Sequence, residues 1–290
     1  MVALPPAPGP PPMPLPSKDI RSMSRPELVE HFGSKRSGRV VLNRLFKGLI
    51  LQARGKILAG EEAPVGGNLR TFWYRWAKPL LARIPDDDRL STDPYELMLI
   101  AFAQLVLEDQ AASYADFDFT DENFAHRFVG ARRPQVLVFA EKRGWIRFLR
   151  RLHQELGVSV LALGGAPSAL TSEYTLAALR PHLAPGAEVE LWGIVDWDPS
   201  GEMIARSFAR QLAQLGLEGA RLTSLIVPGD FTPQEIAFNR FELPKGQKTK
   251  TQAWLARTGG LGGEAWGLES EAMPWPRLRA KIEAMVAEIN

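Results

Sequence analysis

Apolar and polar positions change their period partway along the chain, and that change divides it. From Val40 to Leu58 the apolar residues Val41, Leu45, Leu49 and Leu51 recur at helical spacing, with Lys47, Arg54 and Lys56 outside. Asn68 to Ile84 repeats the pattern with Leu69, Phe72, Trp73, Trp76, Leu80 and Leu81. Asp93-Pro94 opens a further helix through Leu97, Ile100, Ala101, Leu105 and Leu107. Ser24-Arg25-Pro26-Glu27 reads as a helix start, with a serine cap, proline inside the first turn and an acid at its end. Tyr114 to Phe128 is irregular, acidic and aromatic. Met1 to Pro16, mostly proline and small apolar residues, cannot bury a core and reads as an extended tail.

Beyond Ala131-Arg132-Arg133-Pro134 the pattern becomes short apolar runs alternating with helical ones. Val136–Ala140, Val158–Leu163 and Leu191–Val195 read as strands, and Arg221–Val227 as one more. Trp145–Leu156, Ser168–Leu179, Glu202–Leu215 and Trp275–Ile289 read as helices. This βαβαβ order predicts a parallel sheet with crossover helices on both faces. The expected organisation is α/β, with a proline-rich tail over 1–17, a helical domain over 18–130 and a sheet domain over 131–290.

In such sheets, functional groups gather beyond the carboxyl ends of the strands. Glu141 closes the first strand, and Asp196 and Asp198 follow the third. The two aspartates project the same way because the side-chain period is two. Taken singly, each acid is most simply a solvated loop residue. Together they form a set that repels itself unless a cation neutralises it. Oxygen ligands with no cysteine or histidine nearby favour Mg²⁺ or Mn²⁺ over zinc. Pro199 and Gly201 then turn the chain into the next helix.

Glu141-Lys142 after one apolar strand and Asp196-Trp197-Asp198-Pro199-Ser200-Gly201 after a later one resemble the Toprim domain. The Asp-Pro-x-Gly form resembles that of the DNA-cleaving subunit of topoisomerase VI and its meiotic double-strand-break relatives. Gly164-Gly165-Ala166-Pro167-Ser168 sits where that family has a Gly-rich turn, and Gly267-Leu268-Glu269-Ser270-Glu271-Ala272-Met273 resembles its Glu-x-Glu-Ala-Leu segment. The match covers about residues 134–290, and the part before it only weakly. The resemblance implies a winged-helix-like DNA-binding domain ahead of a Toprim domain with Mg²⁺ on Glu141, Asp196 and Asp198.

Upstream, that family carries Arg-x-x-Tyr-Tyr, whose second tyrosine is the nucleophile. Here the sequence is Leu69-Arg70-Thr71-Phe72-Trp73-Tyr74, so Arg70 and Tyr74 match in type and spacing while Trp73 replaces the first tyrosine. Four residues apart, Arg70 and Tyr74 are expected on one helical face, where a guanidinium could hold a phosphate for phenolate attack. The other reading of Tyr74 makes it the rim of an aromatic cluster with Phe72 and Trp76. No strong wing hairpin is visible in this half.

Charge adds a second theme. The net charge of the 290 residues is only +2. Residues 18–83, however, hold fourteen Lys/Arg against five Asp/Glu, a net of +9, and residues 84–126 hold one against eleven, a net of −10. The basic segment suggests a DNA-facing surface carrying Lys35, Arg36 and Arg39, unless the two segments cancel in space. Lys245, Lys248 and Lys250 form a basic loop that could touch backbone phosphate. Zero cysteines exclude disulfides, thiolate catalysis and Cys-ligated metals. No apolar run approaches 18 residues, no secretory signal is read, and no Gly-x-x-x-x-Gly-Lys-[Ser/Thr] loop is present.

These expectations describe a cytoplasmic, nucleoid-associated enzyme acting on double-stranded DNA, without a membrane. The resemblance implies a homodimer and a separate ATPase subunit. Three functions stand side by side. If Tyr74 attacks, the product is a resealable tyrosyl–DNA ester; if water attacks, the same site makes a nuclease resembling that of Wadjet-type plasmid-defence systems. The third is a non-catalytic DNA-binding protein that keeps the fold.

Overall fold

The computed structural model describes residues 19–32, 38–82, 93–244 and 248–289. The chain divides into two compact units, one ending at Asp121 and the other beginning at Glu122. The division falls ahead of the 130/131 boundary expected from sequence. Its cause is a short strand, β1 (Arg127–Phe128), which pairs with the sheet of the second unit.

The first unit is helical. Its elements are α1 (Arg25–Phe32), α2 (Gly38–Leu58), α3 (Leu69–Phe72), a π-helical turn (Trp73–Ala77), α4 (Lys78–Leu81) and α5 (Pro94–Leu107). Capping follows the sequence signals: Asn68 accepts from the Arg70 and Thr71 amides, and Asp93 from the Tyr95 amide. Its centre is aromatic. Phe72 meets Phe102 edge-on with ring centroids 4.9 Å apart, and Phe102 meets Phe117 at 5.3 Å. Among the described residues of this unit there is no strand. The basic exterior expected of α2 is largely neutralised within the unit. Lys47 pairs with Asp109 and Arg54 with Asp116, both at 2.6 Å, and Lys56 reaches Asp19 at 3.3 Å. At Lys47 and Arg54 the basic and acidic segments cancel in space.

The second unit is α/β. A five-stranded sheet has the order β1-β3-β2-β4-β5, with β2 (Arg133–Ala140), β3 (Val158–Ala162), β4 (Glu190–Ile194) and β5 (Arg221–Ser224) mutually parallel. The edge strand β1 runs antiparallel to β3, so the sheet is mixed rather than wholly parallel. Both faces are covered, which is why its strands read as continuous apolar runs. Val136, Val138 and Ala140 face one core with Trp192 and Ile194. That core is completed by α6 (Ile146–Leu156) and the final helix, Trp275–Glu288. Leu137, Phe139 and Leu191 face the other core, closed by α7 (Ala169–Leu179) and α8 (Pro199–Gln214). Three helices complete the chain: α9 (Pro233–Asn239), α10 (Lys248–Thr258) and the final α11 (Trp275–Glu288). A two-stranded ribbon, β6 (Arg240–Glu242) with β7 (Trp266–Leu268), lies between them in sequence. No described helix is long and apolar enough to cross a membrane.

Candidate active site

The carboxyl ends of the two central strands bring the three predicted acids together. The Glu141 amide donates to the Ile194 carbonyl at 3.1 Å, continuing the β2–β4 pairing one residue past the strand. Its carbonyl accepts from the amides of Gly164 and Gly165 at 2.8 and 2.9 Å, so the glycine turn expected before α7 clamps the Glu141 backbone. Asp198 is the N-cap of α8, accepting from the Gly201 amide at 2.6 Å. Gly201 is required at that position: a Cβ there would collide with the Asp196 carbonyl oxygen. The Asp-Pro-x-Gly sequence therefore folds α8 back onto the end of β4 and sets both aspartates.

Electrostatics records how close these groups lie. Burial pushes the Glu141 carboxyl above its ordinary range, and the charges of Asp196 and Asp198 push it further. Asp198 is also raised, first by burial and then by Asp196, against the lowering effect of the Gly201 amide. Glu141 Oε2 is buried with no hydrogen-bond partner.

Two further groups belong to the site that sequence reasoning does not assign to it. Trp197 exchanges backbone hydrogen bonds with Leu268, at 2.9 and 3.1 Å, and this bridge draws the Gly267–Met273 segment against the Asp-x-Asp turn. As a result, the Ser270 amide donates to Asp196 Oδ1 at 2.7 Å, a charge-assisted bond stabilising by about 1.5–3 kcal/mol. Lys142 supplies the countercharge. Its ammonium contacts Glu269, lies 2.6 Å from Glu271 and reaches Asp196 Oδ2 at 3.1 Å. Burial alone would lower its pKa, but the hydrogen bonds to Glu269, Glu271 and Asp196 win and hold it well above the usual lysine range. The sequence signal for these groups is the Glu-x-Glu pair, which no local pattern joins to the acids.

Among the described residues no three acid or imidazole side chains converge as ready-made ligands of one ion; three of the five acids here are instead turned to Lys142. The donor chemistry nonetheless fits a hard cation. It is all oxygen, one donor is buried without a partner, and two of the carboxyls are destabilised as anions by burial and then by their neighbours.

Tyr74 lies in the other unit, on the π-helical turn. It is 57% exposed, whereas Phe72 and Trp76 stack in the core at 6.1 Å. Tyr74 thus points away from the cluster that its alternative reading has it rim. The pairing with Arg70 is not formed. The Arg70 guanidinium lies over the Tyr95 ring at 5.7 Å, and the cation over Tyr74 is Lys78, at 5.1 Å. Tyr74 therefore pairs with the residue four positions after it rather than with the one four positions before it.

Of the expected DNA-binding residues, Lys35, Arg36 and Lys245 lie outside the described residues, as do the side chains of Arg39 and Lys248. Lys250 is exposed, in the first turn of α10 rather than in a loop. Compared as a sequence, the chain matches no family model and no curated protein.

Proposed function

We propose that this chain is a divalent-metal-dependent DNA-cleaving protein resembling the cleaving subunit of topoisomerase VI, with a Toprim-type domain from Glu122 onward and a helical DNA-binding domain before it. The observation that carries the reading is that Glu141, Asp196 and Asp198 sit at the ends of β2 and β4, near enough for burial and the two aspartates to raise the Glu141 carboxyl, with one Glu141 oxygen buried and unpartnered. Glu141, Asp196 and Asp198 would hold Mg²⁺, or Mn²⁺ in its place, and such an ion neutralises charge developing on a phosphodiester. The protein's own residues supply the rest. Ser270 and Gly201 orient Asp196 and Asp198 through their amides, and Lys142 balances the acids. Tyr74, exposed on its π turn, offers a phenolic oxygen. The phenol gives up its O–H proton as its oxygen bonds the phosphorus and the DNA P–O bond breaks, the departing sugar oxygen takes up a proton in exchange, and a tyrosyl–DNA ester remains for resealing. Homodimerisation and a separate ATPase subunit belong to the same proposal.

A second reading is favoured by one observation: Arg70 attends Tyr95 instead of Tyr74. With water as nucleophile, the same acids make a nuclease of the Wadjet-type kind, and the break is not conserved. The first experiment is plasmid cleavage. Supercoiled DNA should be cut with Mg²⁺ or Mn²⁺ and left intact in EDTA, and Asp196→Ala should abolish cutting while DNA binding persists. Wild-type rates from Asp196→Ala would overturn the acid site as the seat of cleavage, and no cutting by the wild type with either metal would leave a DNA-binding protein without catalysis.

A further inference from the structure

A row of arginines leads away from the acid site along the outer face of α6. Trp145, Phe148, Leu149 and Leu152 turn that helix toward the sheet. The opposite face exposes Arg147 and Arg151, four residues apart, with Arg150 beside them, and Arg143 is exposed in the 3₁₀ turn (Arg143–Trp145) that leads into the helix. Arg150 is engaged, its guanidinium 5.1 Å from the centre of the Phe128 ring. Among the described residues, the other three form no ion pair. This contrasts with α2, where Lys47 and Arg54 are held by acids.

The row is anchored at the site. Arg143 follows Glu141 and Lys142 directly, and its side chain fills the space that a Cβ on Gly164 would need. It therefore lies over the glycine turn that clamps the Glu141 backbone. From Arg143 to Arg151 the 3₁₀ turn and the helix together rise about 13 Å. Each strand of duplex DNA presents one phosphate per about 3.4 Å of axis, so the row faces about three or four phosphates. Guanidinium groups suit phosphate through paired N–H donors.

We infer that Arg143, Arg147 and Arg151 form a docking rail for the sugar–phosphate backbone of duplex DNA, delivering one strand to the Glu141 end of the site without reading its sequence. The inference rests on the proposed DNA substrate, though not on the metal or on the nucleophile. An acidic protein is the competing partner, and the test separates the two.

Binding of a fluorescent 30-bp duplex to the full chain is measured by anisotropy in EDTA, where no cleavage occurs, across a salt series. Arg147→Gln with Arg151→Gln should lower the slope of log affinity against log salt by about 2 and weaken binding about tenfold or more at moderate salt. Arg147→Lys with Arg151→Lys should retain most of the binding. The charge-matched control Arg180→Gln with Arg210→Gln, on exposed positions elsewhere, should leave it unchanged. Glutamine is a good helix former, and a matching thermal transition checks the fold. An unchanged slope in the glutamine pair, an equal loss in the control, or no duplex binding by the wild type would each overturn the rail; the last would leave an acidic protein as the partner. Duplex bound through the rail but never cut with Mg²⁺ would instead overturn the cleavage reading alone.

Discussion

The Lys142 ammonium lies 3.1 Å from Asp196 Oδ2, and the other oxygen of the same carboxylate accepts the Ser270 amide at 2.7 Å. Asp196 is thus gripped from two sides, by the residue after Glu141 and by the segment after β7. The Asp196 side chain is only 11% exposed, so this pair is poorly screened compared with an ordinary surface ion pair.

A divalent cation binding Asp196 competes with that ammonium. Lys142→Met should therefore tighten Mn²⁺ binding by about tenfold or more, because a positive charge within contact range of the acids is gone. It should also lower the melting temperature of the metal-free protein, since Asp196 loses its countercharge. Lys142→Arg, which keeps the charge, should bind Mn²⁺ like the wild type. The free Mn²⁺ resonance signal reports the affinity directly, and equal affinities for the wild type and the methionine variant would show that lysine and metal do not share the site.

Glu141 makes a pH prediction with an unusual sign. Its pKa is raised in the folded protein above the ordinary 4.5. Between those two values the folded state binds more protons than the unfolded one, so stability falls as pH rises through the window. Glu141→Gln removes that loss. In EDTA the variant should melt higher than the wild type at pH 7, by about 2–4 °C for each kcal/mol recovered, and the gain should shrink at pH 4, while cleavage disappears. A variant that melts lower at pH 7 would show that Glu141 is not strained by its neighbours.

Gly201→Ala should misplace the aspartates. The added methyl meets the Asp196 carbonyl oxygen, and backbone against backbone has little room to give. A loss of about 2 kcal/mol or more in denaturant unfolding, with cleavage reduced beyond what the remaining folded fraction explains, is the expected pair of results. Normal stability together with normal cleavage would mean that α8 tolerates a shift from β4.

Tyr74 separates the two catalytic readings. Denaturing a cleavage reaction should trap protein on DNA ends in the wild type and none in Tyr74→Phe, which should also fail to cut. If the phenylalanine variant cuts and the wild type yields no adduct, water is the nucleophile.

Much of the second unit is legible in sequence because its signals are local. Apolar runs of strand length, the Ser168 cap of α7 and the Asp198 cap of α8 are written in adjacent residues. The placement of Glu141, Asp196 and Asp198 follows from strand ends alone. What is illegible depends on distant partners. Lys142 meets Glu269 and Glu271 across 127 and 129 residues of chain, and no periodicity encodes such a meeting. The antiparallel edge strand β1 is two residues long, too short for an alternating pattern. In the first unit, helical period identifies the buried face around Phe72 and Trp76. Arg70 instead turns to Tyr95 of α5, a ring 25 residues away that no spacing points to. The salt bridges of α2 are likewise invisible, because charge counted along a sequence does not say which charges meet.

The bridge between Trp197 and Leu268 also has a meaning in time. A ribosome makes the chain from its N-terminus, so Glu141, Asp196 and Asp198 emerge well before Ser270 and the two glutamates that hold Lys142. Until that late segment arrives and Leu268 pairs with Trp197, Asp196 lacks its amide donor and Lys142 two of its carboxylates. A nascent chain therefore carries all three acids in an unfinished setting, and the centre matures only once the segment from Leu268 to Glu271 has emerged. For a protein proposed to break DNA, such a delay is a safeguard against premature cutting.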